Sequence, residues 1–139
     1  MAGYSGTPLA KKLGIKPNHA VALINAHDGF AATLEEMPAD AEVLADLKAR
    51  KAFDVVVFFT QREKELVKQF PRLARKLSPA GGLWIAWPKR ASGMATDLSE
   101  NRIREIGLAG GLVDNKVCAI DETWSGLRFV IRLKDRPKQ

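Results

Sequence analysis

The chain has 139 residues, the length of one ordinary domain with a sizeable core, and 46% hydrophobic with 27% charged residues is a globular composition. No apolar run reaches the roughly 20 residues of a membrane span, and MAGYSGTPLAKK lacks the basic-then-apolar pattern of a secretory signal. The net charge of +6 is concentrated, since residues 61 to 90 hold eight basic side chains against Glu63 and Glu65 and the rest of the chain sums to zero. An anionic partner could use that patch, and a solvated helix face accounts for it equally well. The one cysteine, Cys118, lies in the apolar run VCAI, which rules out an internal disulfide and points to a buried, inert thiol in a cytoplasmic protein.

TPLAKKLGIKP reads as a short helix, with Thr7 as N-cap, Pro8 at the first helical position and Gly14 just past the end. HAVALINA follows as an apolar run of strand length. Residues 30 to 37 leave room for one or two helical turns before Pro38, and AEVLADL is a weak, short strand. FDVVVFFT, almost continuously β-branched and aromatic, predicts a strand buried on both faces of a parallel sheet.

Apolar positions at Leu66, Val67, Phe70, Leu73, Ala74 and Leu77 predict a helix over 62–77. Pro71 falls inside it and should kink or restart it, because proline cannot donate to the Val67 carbonyl. SPAGG then stops the helix and LWIAW is a second buried strand. TDLSENRIREIGLAGG carries another helix, with Asp97 as N-cap and Glu100 completing a capping box.

The C-terminal strands LVDNKVCAI and GLRFVIRL, joined by DETWS, predict an antiparallel pair at the margin of the parallel sheet. Acidic Asp121 and Glu122 suit that turn, and Trp124 is expected to pack on the core. LRFVIRL reads as an edge strand, where a homodimer could form. KDRPKQ is a frayed tail, and 1–139 is a single domain whose first 17 residues are an N-terminal helical segment.

This order of elements resembles the second half of a class I methyltransferase. FDVVVFFTQREKELVKQFPRLARKLSPAGGLWIAW is similar to the stretch those enzymes use for their fourth and fifth strands, and the hairpin at 112–133 to their last two. Residues 2–133 also resemble a bacterial family of small proteins without an established activity, through AGYSGTPLAKKLGIKP, AWPKRASGMATDL and DETWSGLRFV. The resemblance implies an α/β, Rossmann-like fold. The sheet is mostly parallel, flanked by helices and closed by an antiparallel hairpin.

Methyltransferases hold S-adenosylmethionine with a glycine-rich loop after the first strand and an acidic residue at the end of the next. Here that loop is NAHDGF, with Gly29 as its sole glycine, and only 28 residues separate Asn25 from Asp54. That is room for a helix and one short strand. The expectation is therefore no cofactor, with S-adenosylmethionine disfavoured.

In an open parallel sheet, ligands sit beyond the carboxyl ends of the strands. NAHDG, TQR and WPKRASG should converge there and offer Asn25, His27, Asp28, Thr60, Gln61, Trp87, Lys89, Arg90 and Ser92. The segment GYSGT could fold over the same edge. An aromatic wall with two cations suits a small anionic or nucleotide-like ligand, and ordinary solvated loop residues would look the same. His27 beside Asp28 could be a general base, but adjacent side chains rarely face one another and no nucleophile accompanies them. No catalytic residue is assigned. Two histidines and one cysteine give no metal-ligand spacing.

Lys64, Lys68, Arg72 and Lys76 recur every fourth residue as a basic stripe opposite the apolar helix face. Nucleic acid would need such a footprint, yet no binding motif goes with it. The leading expectation is a non-catalytic domain binding a small anionic ligand or a protein partner at the carboxyl edge. A group transferase with an atypical cofactor loop comes second, and a basic protein associated with nucleic acid third.

Overall fold

A computed structural model describes residues 7–137; residues 3–6 of the GYSGT segment and the last two residues of the tail lie outside that range. The elements are α1 (Leu9–Lys12), β1 (Ala20–Ile24), β2 (Glu42–Leu44), β3 (Phe53–Phe59), α2 (Glu63–Arg75), β4 (Leu77–Pro88), α3 (Glu100–Ala109), β5 (Leu112–Ala119) and β6 (Trp124–Ile131). The strands form one sheet in the order β2-β1-β3-β4-β6-β5. β2, β1, β3 and β4 run parallel, and β6 is antiparallel to both β4 and β5.

Alternation from Val55 to Phe59 sends Val56 and Phe58 to one face and Val55, Val57 and Phe59 to the other, and Phe53, across the register shift, joins the first. All six are buried, so both faces need cover. Leu66, Phe70 and Leu73 of α2, with Ile103 and Ile106 of α3, close the first face. The second is closed by Ala10 and Leu13 of α1, by Ile15, Phe30 and Leu34, and by Ile120 and Trp124. Trp124 thus packs in the core, as its size predicts.

Helical cover on this second face is thin. Between Asn25 and Asp54 there is no α-helix, only single 3₁₀ turns at Ala31–Thr33 and Leu47–Ala49. Left-handed backbone at Asn25, Gly29, Glu36 and Asp40 breaks any longer run. α1 begins one residue later than its sequence suggests, because Pro8 keeps an extended ψ of 142° and serves as the cap. Its end matches: Gly14 has φ +83°, its N–H donates to Lys11 O, and Ile15 N–H donates to Ala10 O at 3.1 Å.

Four further expectations are corrected. α2 runs through Pro71 without a restart. Val67 and Pro71 face solvent, where water can take the carbonyl that proline leaves unpaired. SPAGG belongs to β4, where the four residues between Leu77 and Gly82 lie opposite Asp54 alone, a bulge. Gly81 is required there, since a Cβ would stand 2.9 Å from the Asp54 carbonyl oxygen. α3 is capped by Ser99, which accepts from Arg102 N–H, and not by Asp97. Finally, β6 is interior, paired on both sides, so LRFVIRL has no free edge; the sheet ends at β2 and at β5, whose exposed Asn115 and Lys116 keep that edge polar.

Gly107 lets α3 lie close on the sheet, because a Cβ there would overlap the Phe129 ring. Gly107→Ala is expected to cost about 1–3 kcal/mol by overpacking, measured as a lower urea midpoint with an unchanged slope.

Candidate functional site

Three loops leave the carboxyl ends of β1, β3 and β4, and each is held differently. The first is closed by aromatic packing. Phe30 is fully buried against Phe59 at 4.8 Å between ring centroids, and Phe59 meets Trp124 at 5.2 Å. The His27 ring lies near-parallel to Trp124 at 6.5 Å and edge-on to Phe30 at 5.5 Å. Asp28 is exposed. Gly29 sits at φ +86° with open space where a Cβ would be, so it serves a turn and not a close approach of the backbone to a ligand.

The second loop is polar. Thr60 is only 3% exposed; its hydroxyl donates to Glu65 Oε1 at 2.6 Å and its N–H to Ala86 O. Asn25 Nδ2 donates to Phe59 O and to Glu65 Oε2, so one carboxylate ties the first two loops together. Gln61 joins the second to the third. Its carbonyl accepts from the Thr96 hydroxyl at 2.7 Å, and its amide donates to Ala95 O. Asp97, displaced from capping α3, accepts from Glu63 N–H at 2.7 Å and so caps α2 from outside.

This lacing folds residues 89–98 back over the sheet edge and leaves a groove of about 570 Å³. Trp87, Lys89, Arg90, Met94, Leu98 and Ser125 are among its lining residues, and Ser99 and Glu100 at the start of α3 border it. Trp87 is 8% exposed and offers little more than an edge. The Glu100 carboxylate is taken by Arg104 at 2.7 Å, whereas Lys89 and Arg90 form no ion pair among the described residues. The groove can therefore present net positive charge beside an apolar wall.

Of the residues singled out by sequence, Trp87, Lys89 and Arg90 stand together in this groove. Ser92 does not line it; its hydroxyl donates to Lys89 O and accepts from Met94 N–H, which shapes the turn. Asn25, His27, Asp28 and Thr60 lie by the first two loops, outside the groove. Sequence reasoning missed Ser125, which enters through the pairing of Trp87 with Ser125 between β4 and β6. It also passed over Asp46, two residues beyond β2, whose carboxylate accepts from Lys48 N–H at 2.8 Å.

In the basic stripe, Lys64, Lys68 and Arg72 are exposed, while Lys76 turns aside and donates to Arg50 O at 2.8 Å. Arg102 bridges α2 and α3 through two hydrogen bonds to Glu63, and its donation holds the Glu63 carboxyl below its ordinary pKa. Cys118 is half-buried, and burial pushes its thiol pKa up. Among the described residues there is no group of three or more metal-ligating side chains, and no helix is long and apolar enough to cross a membrane.

Residues 10–133 match a family described as a protein of unknown function, DUF3052. The chain belongs to that family. No curated protein sequence matches it. Among solved structures it is similar to an S-adenosylmethionine-dependent methyltransferase from Aquifex aeolicus, at 16% identity and TM-score 0.62 over 87% of this chain and 86% of that one. It is similar too to ribosomal protein L11 methylase from Lactobacillus delbrueckii, at 15% identity and TM-score 0.60 over 88% and 74%. Aeropyrum pernix fibrillarin, solved with natively bound S-adenosylmethionine, gives 13% identity and TM-score 0.62 over 92% and 70%. At these identities the likeness establishes the fold: α/β, Rossmann-like, of the methyltransferase kind.

Asp97→Ala removes the acceptor that joins the third loop to α2. It is expected to cost about 0.5–2 kcal/mol, as a lost helix cap does, and to speed amide exchange at Glu63 and at residues 95–97.

Proposed function

We propose that this chain is a binding domain that takes a small anionic, nucleotide-like ligand in the groove at the carboxyl end of β4. One observation carries the reading. Lys89 and Arg90, without ion pairs among the described residues, border a groove of nucleotide-scale volume at the sheet edge where ligands of open α/β folds sit. In this reading the two cations meet the anion. The hydroxyls of Ser99 and Ser125 supply hydrogen bonds, and Met94 and Leu98 cover the apolar part. Ser99 Oγ already accepts from Arg102 N–H and keeps its own proton to donate.

S-adenosylmethionine held in the usual way has no place in this reading. The loop after β1 offers one glycine in a turn, and it is closed by Phe30, which packs edge-on against His27 and Phe59. The residues there do not fit the cofactor's usual cradle. The second reading, a group transferase with an atypical cofactor loop, draws on Asp46. It is an acidic residue just past the end of β2, where the methyltransferase resemblance expects one. A cytoplasmic location accords with the lone, half-buried thiol of Cys118.

The test is a thermal-shift panel with ATP, NAD, cyclic nucleotides, S-adenosylmethionine and S-adenosylhomocysteine. A ligand at about 100 times its Kd adds roughly 2.7 kcal/mol, several degrees for a domain of this size. The expected outcome is a rise with a phosphorylated nucleotide that disappears in the Lys89→Ala, Arg90→Ala double variant. A rise with the two adenosyl compounds alone, undiminished in that variant, would replace this reading with the transferase. No rise with any compound would overturn the groove as a nucleotide site.

A further inference from the structure

We propose that the cleft between α2 and α3 is a docking surface for an acidic amphipathic helix of a partner protein. The cleft, about 320 Å³, lies on the outer side of the helical layer, away from the groove at β4. Val67, Phe70, Pro71, Ile106 and Ala109 form its floor and walls. Val67 is 50% exposed, although it sits one residue from the buried Leu66. At about 100° per residue, Val67 and Pro71 flank the core-facing stripe of α2 and continue it outward. An aliphatic strip is thereby left in water on a helix whose own core needs are met by Leu66, Phe70 and Leu73.

Charge identifies the occupant. Beyond Val67 and Pro71 on the same helix come Lys64, Lys68, Arg72 and Arg75, and none of the four has an ion-pair partner among the described residues. Arg102 of the cleft wall engages two acids, Glu63 on α2 and Glu105 on α3. It holds Glu63 through bonds of 2.9 and 3.0 Å and Glu105 at 3.2 Å. A partner therefore meets an aliphatic channel with positive charge along one bank. An amphipathic helix with a leucine-type stripe and glutamate or aspartate beside it satisfies both features, in the manner of helix-in-groove recognition. Pro71 adds a polar detail, because the Val67 carbonyl lacks its ordinary helical donor and can accept from the partner.

Nucleic acid fits less well. Phosphates would satisfy the lysines but leave the aliphatic channel wet, and the one aromatic of the cleft, Phe70, is buried and gives no stacking platform. A second copy of the chain fits poorly too. Its own acidic run, from Glu35 to Asp46, is spent on turns and on the edge strand β2, so it supplies no helix.

The test uses a fluorescein-labelled synthetic peptide of repeating Leu-Glu-Glu-Leu-Leu-Glu-Glu, titrated with the full chain and read by fluorescence anisotropy. A control peptide has the same composition in an order that breaks the apolar stripe. Expected is binding to the first peptide only, weakened by salt. Val67→Glu and the Lys68→Glu, Arg72→Glu pair should each reduce affinity by about tenfold or more, and Lys89→Glu should leave it unchanged. That last arm separates this surface from the β4 groove, so either proposal can fail alone. Val67 is half-exposed, and Val67→Lys with a wild-type melting curve serves as the second variant should Val67→Glu be poorly folded. No binding of the striped peptide, or equal binding of both peptides, overturns the proposal. So does displacement by polyuridylate that is indifferent to Val67→Glu, which would assign the stripe to nucleic acid. Concentration-dependent self-association lost in Val67→Glu would overturn it in favour of a second copy.

Discussion

Burial of β3 and β4 on both faces is the constraint from which the rest of the structure follows. Seven consecutive residues of β3, Phe53–Phe59, carry six buried side chains shared equally between the two faces, and β4 pairs beside it with Leu83, Trp84, Ile85 and Ala86 equally enclosed. A strand pair of this kind cannot face water on either side, since each large apolar side chain is worth roughly 1.5–3 kcal/mol on burial. One face is met by two regular helices. The other is met by a single helical turn and an irregular segment, and there the packing needs specific help. Trp84 supplies it, spanning the layer to donate its indole N–H to Leu13 O at 3.0 Å. The thin layer is thus held by a hydrogen bond inside the core, where no water competes for it.

The same constraint shapes the carboxyl edge. Because β3 is buried up to its last residue, Phe59, and β1 up to Leu23, the loops leaving them close over the sheet instead of opening away from it. The first loop does so with aromatic rings. Phe30, Phe59, Trp124 and His27 pack ring against ring there, and the loop carries one glycine, Gly29, in a turn. The third loop does so with hydrogen bonds to Gln61 and Glu63, and these leave the groove between β4 and α3. The binding edge of the fold is kept while its cavity lies over β4. A fold of the methyltransferase kind does not by itself carry the methyltransferase site.

Much of this was legible in the residues. The period-two and continuous apolar runs marked β1, β3, β4, β5 and β6, and the 3.6-residue spacing marked α2, because burial acts on those periods directly, while capping residues marked α3. Gly14 declared its helix end, since a left-handed position followed by a buried Ile15 has few other uses. Trp87, Lys89 and Arg90 could be placed at one site because they are neighbours in one loop. Misreadings fell where two signals competed. Asp97 and Ser99 both suit a helix cap, and only the approach of α2 decided that Asp97 would serve Glu63. SPAGG has the composition of a turn, yet strand pairing beside β3 drew it into a bulge.

The sequence by itself determined the class of fold, the elements and the location of the charge, all of which depend on residues close together in the chain. Tertiary structure alone decided which strands became neighbours, and so that β6 lies inside the sheet while β5 takes its margin. It decided as well that Asn25 and Thr60 share Glu65 instead of facing a ligand, and that Ser125 joins Lys89 and Arg90. The exposed strip of Val67 and Pro71 belongs to the same category. Its residues carry the same helical signal as the core, and only the placement of α3 determined which side of α2 stayed in water. Local chemistry shapes each element. Which element comes to lie beside it depends on long-range packing, and short-range pattern carries no record of that.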